Sequence, residues 1–430
     1  MRYIRPLLAA LCIFAFLLLT ACSGIDAGVE GLMLPPKLTS EQSGLYSALE
    51  TAAGTENIRL RYPKSGSGNS AFIFEDIDSD EAMEAVVFYS TQDSSATRMN
   101  ILRKVSGRWV SVYDMKGRDS DVVSVEFASA KSGTMMVIGW RNQISGQKTL
   151  TVYRFSGNVL RDELSVPYQE SAICRISGGE HDDIVVFAAA NEAGETTVSL
   201  LGLDGDSPRE ISRTRLALGA ADYLAVTPGT ANGGARALYV DYSTGDGRYS
   251  SDVIYFRGEL RSYFSGSGEL PLRYDEITSE DVDDDGVPEI PVQQETEDNA
   301  SGIEDAVYVT QYLSAAGPKP QTVMTAVINQ RDGYLFELPA NWIDGIDVKK
   351  NGESGEWRFF EAAEDGRSGV ELLRIRTVNK NTYHDKFDES YKLIAERGVN
   401  QYYMFLPVSD SPLGLTLSEC INRFRLRSVS

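Results

Sequence analysis

Residues 84–90 read EAVVFYS: one charged anchor, then a short run rich in β-branched and aromatic side chains, the composition of a buried strand. Runs of the same kind follow other anchors. MMVIGW follows Thr134, IVVFAA follows Asp183, ALYVDY follows Arg236 and IPV follows Glu289. Successive anchors lie 50, 49, 53 and 53 residues apart. A second landmark keeps step with the first. Gly107, Gly157, Gly205 and Gly258 each fall 22 or 23 residues after an anchor, in stretches that read as turns, while Gly317 lags in the fifth unit. Two landmarks in register establish an internal repeat of about fifty residues.

Each repeat reads as four strands. In the first they are SAFIFED (70–76), EAVVFYST (84–91), TRMNILRKV (97–105) and RWVSVYD (108–114), separated by polar or glycine turns. A four-stranded antiparallel unit of this length cannot bury both of its faces alone, and stacking such units radially does so. The expectation is therefore a mainly β fold: a β-propeller of about five four-stranded blades over residues 70–329. A sixth blade completed by NIRLRYP (57–63), or an open array of β-sandwich sheets, are the alternatives. Residues 37–69 carry a helix and a strand, with Thr39 and Gln42 at capping-box spacing, Leu45 and Leu49 one turn apart and Gly54 as a stop. Beyond residue 330 the repeat ends. GYLFELPANW (333–342), four strand-like runs and a helix within LTLSECINRFRL (415–426) predict an α+β domain over 330–430.

Two repeats open on acidic loops. EDVDDDGVPEI (280–290) places Asp281, Asp283 and Asp285 at alternate positions, then Gly286 and Glu289. Alternating carboxylates ending on a glycine turn inward onto one hard cation. An EF-hand would need its glutamate at position 12 between helices, whereas Glu289 falls at position 9 between strands. The loop resembles instead the calcium loop of FG-GAP and VCBS propeller repeats. That resemblance implies structural calcium held by Asp281, Asp283, Asp285, Glu289 and the Val287 carbonyl. Asp76, Asp78, Asp80 and Glu84 match the same pattern, with Glu81 where glycine belongs, which implies a weaker or distorted site. The other three repeats lack the ligands. Solvated acidic turns that bind nothing are the competing reading of both loops.

The N-terminus reads as a targeting segment. Arg2 and Arg5 precede an apolar run, Leu7 to Leu19, and LTAC (19–22) resembles a bacterial lipobox. That resemblance implies a signal peptide over 1–21, a diacylglycerol (palmitate-type) anchor on Cys22, a tether over 22–36 and an extracytoplasmic, membrane-anchored location. The closing domain resembles, loosely, a PsbP-like domain of Firmicutes lipoproteins, implying a Gram-positive cell surface. Loss of the two arginines takes the net charge from −21 to −23, which excludes nucleic acid as a partner. Cys174 and Cys420 read as buried thiols, with a disulfide open in an oxidising compartment, and only His181 and His384 are available for imidazole chemistry. The function these features point to is an anchored binding or scaffolding lipoprotein with calcium-stabilised propeller loops, facing a cell-wall glycan, a peptide or an envelope protein. The alternative is a propeller-type glycosidase or related carbohydrate-active enzyme, with Glu126, Asp241 and Asp283 as its candidate carboxylates.

Overall fold

The computed structural model describes residues 40–427, apart from 69, 267, 269, 294–306, 352–354, 363–367, 382–389 and 409. The expected signal peptide, Cys22, the tether, Thr39 and His384 lie outside the described residues. Helix α1 (Ser40–Ala53) comes first and stops before Gly54, whose φ of 67° lies in the left-handed region.

The first sheet holds β1 (Ile58–Arg61), β3 (Phe72–Glu75), β4 (Glu84–Thr91), β5 (Ser94–Val105) and β6 (Arg108–Lys116). The second holds β2 (Ser65–Gly66), parallel to β7 (Asp121–Ala130), then β8 (Gly133–Arg141), β9 (Lys148–Ser156) and β10 (Val159–Tyr168). The third is β11 (Glu170–Cys174), β12 (Asp183–Phe187), β13 (Thr197–Gly202) and β14 (Arg209–Arg215). The fourth is β15 (Asp222–Ala231), β16 (Ala235–Ser243), β17 (Tyr249–Phe256), β18 (Leu260–Ser262) and β19 (Leu272–Arg273). The fifth runs β20 (Ile290–Gln293), β21 (Val309–Ser314), β22 (Gln321–Asn329) and β23 (Tyr334–Glu337). A sixth is built from β24 (Ile346–Lys350), β25 (Trp357–Ala362), β26 (Ser368–Asn379), β27 (Lys392–Arg397) and β28 (Asn400–Phe405). Helix α2 (Leu417–Arg423) leads into β29 (Phe424–Leu426), which returns to pair with β23.

Glu84 and Asp183 start β4 and β12, Thr134 and Arg236 are the second residues of β8 and β16, and Glu289 immediately precedes β20, while Gly107, Gly157, Gly205 and Gly258 all lie in the turns before β6, β10, β14 and β18. Neighbouring sheets bury apolar faces against one another in chain order. Val86, Phe88 and Ile101 meet Val125, Ile138 and Trp140 between the first and second sheets. Tyr239 and Val253 meet Ile290 between the fourth and fifth.

The propeller does not form. The described residues form six separate, open sheets, none of which closes into a ring or barrel. Among the described residues no strand pairing or apolar cluster joins the first sheet to the fifth or sixth. The physical reason is that the faces that would meet are already covered. Leu45 and Leu49 of α1 bury the outer face of the first sheet against Val87, Tyr89 and Leu102. At the other end Val327, Tyr334 and Phe336 of the fifth sheet pack into one core with Trp357, Phe359, Leu373 and Met404 of the sixth. With both end faces covered, an open array satisfies the burial that radial closure would have supplied. Among the described residues the fold is mainly β with two α-helices, in sheets of four or five strands, and the five-bladed expectation is corrected to an open array.

Two local expectations also shift. Residues 57–63 complete no sixth blade: β1 pairs with β4 on the same edge as β3, and β2 crosses to the second sheet. The closing helix spans only Leu417–Arg423, started by a capping box in which Thr416 and Glu419 exchange hydrogen bonds. Phe424 leaves the helix because its ring packs on Tyr334 and Tyr402, and that burial favours strand pairing.

Candidate metal centre

The loop from Glu280 to Glu289 is closed by the two backbone hydrogen bonds those residues exchange, at 3.1 and 2.8 Å. Inside it the aspartates organise the main chain. Asp281 accepts from the N–H groups of Asp285 (3.1 Å) and Gly286 (2.8 Å), and Asp285 accepts from Val287 (2.7 Å). Gly286 has a φ of 84°, where a Cβ is strained. Asp281, Asp283 and Asp285 are exposed, and each offers a carboxylate oxygen within 4.8 Å of the others. Glu289 is different: it is fully buried. Its Oε2 accepts from the Val282 N–H at 3.0 Å, while its Oε1 is buried with no hydrogen-bond partner among the described residues. Burial is the main cause that pushes its carboxyl up to about 7, and the charges of Asp283, Asp285 and Asp281 push the same way.

The loop is tied to two other parts of the fold, the C-terminal strand and the fourth sheet. Arg425, in β29, donates to the Val282 carbonyl, and Arg427 pairs with Glu280 at 2.6 Å. On the other side Ser279 donates its N–H to Asp241 of the fourth sheet at 2.9 Å. The position of Pro288 against Gly229 leaves no room there for a Cβ, which would come within 2.8 Å of the proline ring.

The loop from Asp76 to Glu84 repeats this construction. Asp76 accepts from Asp80 and Glu81, both at 3.0 Å, Asp80 accepts from Ala82 at 2.9 Å, and the buried Glu84 accepts from Ile77 at 3.3 Å. Glu81 takes a φ of 71°, the conformation that Gly286 takes in the other loop. The glycine-to-glutamate departure is thus absorbed as local backbone strain. One partner has no counterpart. Arg103 donates to Glu84 Oε1 at 2.8 Å and also pairs with Asp78. In the third repeat a remnant persists: Asp183 accepts from Ser177 at 2.8 Å, without the alternating aspartates.

The three carboxylates considered for glycosidase chemistry are not brought together. Asp283 belongs to the acidic loop. Asp241 is fully buried and paired with Arg273 at 3.0 Å, a structural role that its sequence context did not show. Glu126 lines a cavity of about 380 Å³ with Glu170 and Tyr223, where β7, β11 and β15, the leading strands of three successive sheets, converge. Glu170 is the residue missed from the sequence; an acid opening a strand carried no signal of its own. Cys174 and Cys420 are free thiols that burial pushes up to about 11 and about 12, which keeps them protonated and unreactive.

No protein-family model matches this chain, and no curated protein matches it. Distant likenesses exist among solved structures. One is to Saccharomyces cerevisiae Sqt1, at 10% identity and TM-score 0.26, covering 81% of this chain and 100% of that one. Another is to the exotype rhamnogalacturonan lyase YesX, at 10% identity and TM-score 0.27, covering 73% and 83%. A third is to an exo-β-1,3-galactanase from Phanerochaete chrysosporium, at 10% identity and TM-score 0.27, covering 75% and 81%. Scores this low establish no shared fold and no shared chemistry. The lipoprotein, FG-GAP/VCBS and PsbP-like resemblances are corrected accordingly: no family supports them, and the propeller they imply is absent. The anchored scaffold on calcium-stabilised propeller loops falls with that architecture. Among the described residues no helix is long and apolar enough to cross a membrane.

Proposed function

We propose that the loop from Asp281 to Glu289 is a calcium site whose ion locks the fourth sheet, the fifth sheet and the last strand into one unit. The observation that carries this reading is the buried Oε1 of Glu289, which has no partner while three further carboxylates crowd the same turn. An unpaired buried carboxylate oxygen is costly, and a divalent cation removes the cost. The donors are all oxygens, which suits a hard cation rather than zinc or copper. Oxygens within 4.8 Å of one another suit calcium, whose shell is about 5 Å across. The ion's role is structural, since Arg425, Arg427 and Ser279 connect the loop to its surroundings. The basic-then-apolar pattern of residues 2–19 supports an extracytoplasmic location, where calcium is abundant enough for a loose site.

Thermal unfolding with calcium, with magnesium and with a chelator tests the reading. At a hundred times the dissociation constant one site adds about 2.7 kcal/mol, and sites of this kind bind at about 0.1–1 mM. Asp283→Ala should lose that gain. Hydrogen exchange at residues 424–427 should quicken in chelator, because the loop holds that strand. An unchanged midpoint at several millimolar calcium would end the proposal.

The cavity lined by Glu126, Glu170 and Tyr223 supports a second reading, a carbohydrate-active site with two carboxylates beside an aromatic ring. Reducing-sugar release from polysaccharides, lost in both Glu126→Gln and Glu170→Gln, would favour it. Release that survives both changes would exclude these residues.

A further inference from the structure

We infer that Arg103 is a built-in counter-ion that occupies, in the first acidic loop, the place a metal ion takes in the second. The inference rests on the cation reading of the second loop for its comparison, and its own half is tested separately.

The two loops share most of their hydrogen bonds, the bond from the Asp285 N–H to Asp283 at 3.3 Å belonging to the second alone. Asp76 and Asp281 each accept from the residues four and five ahead, Asp80 and Asp285 from the residue two ahead, and Glu84 and Glu289 from the residue seven behind. Ser79 and Asp284 both have positive φ, at 61° and 63°. Both glutamates are fully buried. The difference that bears on the buried glutamate lies on the neighbouring strand. Ala85 pairs with Leu102, which sets Arg103 across from Glu84. Ile290 pairs with Leu313, which sets Ser314 across from Glu289. Where the first loop has a guanidinium, the second has a hydroxyl, and the glutamate oxygen that Arg103 satisfies in one is the oxygen left without a partner in the other. A guanidinium delivers one positive charge in a fixed fork and needs no ion from solution. Arg103 bridges Asp78 and Glu84, two of the residues that could ligate a metal there, and so competes with a cation for the first loop, where Asp78 Oδ1 alone stays buried without a partner among the described residues.

The exchange of these two residues is the test. Calcium titrations by calorimetry should give one site per chain in the native protein and two in Arg103→Ser, while the affinity of Ser314→Arg should fall at least about tenfold. The midpoint of Ser314→Arg in chelator should rise, because the arginine supplies the missing charge. Arg103→Ser should melt lower in chelator and recover with calcium. If it folds only with calcium, the inference is supported; if it fails to fold with calcium too, or folds and still binds one ion, the inference is overturned. A native protein that binds nothing beside an Arg103→Ser variant that binds one ion would sink the second-loop reading and keep this one.

Discussion

Arg273→Met should cost about 3–5 kcal/mol of folding stability, the usual range for removing one partner of a buried ion pair. Arg273 and Asp241 are both fully buried and 3.0 Å apart. Burial pulls the guanidinium's pKa down, and the Asp241 charge works against that fall. Asp241 also accepts from Ser251 and from both the N–H and the hydroxyl of Ser279, at 2.9 and 3.0 Å. Removing the guanidinium leaves that carboxylate charged in a dry site with only neutral donors. The double variant Asp241→Leu/Arg273→Met should recover much of the loss, since apolar replacement of a buried pair is often close to neutral. Urea unfolding followed by tryptophan fluorescence reads both numbers. A single variant within about 1 kcal/mol of the native protein would mean that water reaches this pair.

The second large effect concerns pH. Asp252 is fully buried, and burial pushes its carboxyl up to about 6, from 3.8, despite hydrogen bonds from Ser262 (2.6 Å), Ala217 (2.8 Å) and Val253 (2.8 Å). A group raised on folding holds its proton more tightly in the native state. Its contribution is complete below the unfolded pKa and is lost as pH rises through the folded one. Stability should therefore fall between about pH 4 and 6, by up to about 3 kcal/mol from this group. Asp252→Asn cannot titrate, so the difference between the two stability profiles isolates Asp252 from the other raised acids, Glu75, Glu84, Asp183, Asp275 and Glu289. Parallel profiles would contradict the assignment. Asp252→Asn should also start from a lower baseline, because an amide cannot accept from all of these donors.

Much of this was legible in the chain itself, for reasons tied to particular residues. The anchors at Glu84, Asp183 and Glu289 stood out because a buried acid at the start of an apolar strand breaks the pattern, and each proves to cap its own loop. Gly107, Gly157 and Gly258 were readable because left-handed turns select glycine, and their φ values of 81°, 59° and 74° bear that out. Closure was not readable. Whether five sheets meet in a ring depends on what covers the end faces, and Leu49 of α1 and Trp357 of the sixth sheet do so through packing that no local pattern encodes. Arg103 was missed because its bond to Glu84 spans nineteen positions and follows only from the pairing of β4 with β5. Arg273 and Asp241 lie further apart still, and although Asp241 sits within the apolar run ALYVDY, nothing local named its partner.

The most direct measurement is a calcium titration of the native protein beside Asp283→Ala and Asp78→Ala at neutral pH. One ion per chain, lost in Asp283→Ala and kept in Asp78→Ala, is the result that follows from the unpartnered Glu289 oxygen and the Arg103-filled first loop. No heat of binding up to about 10 mM calcium, well above the range for such sites, would contradict it. So would a site that survives Asp283→Ala.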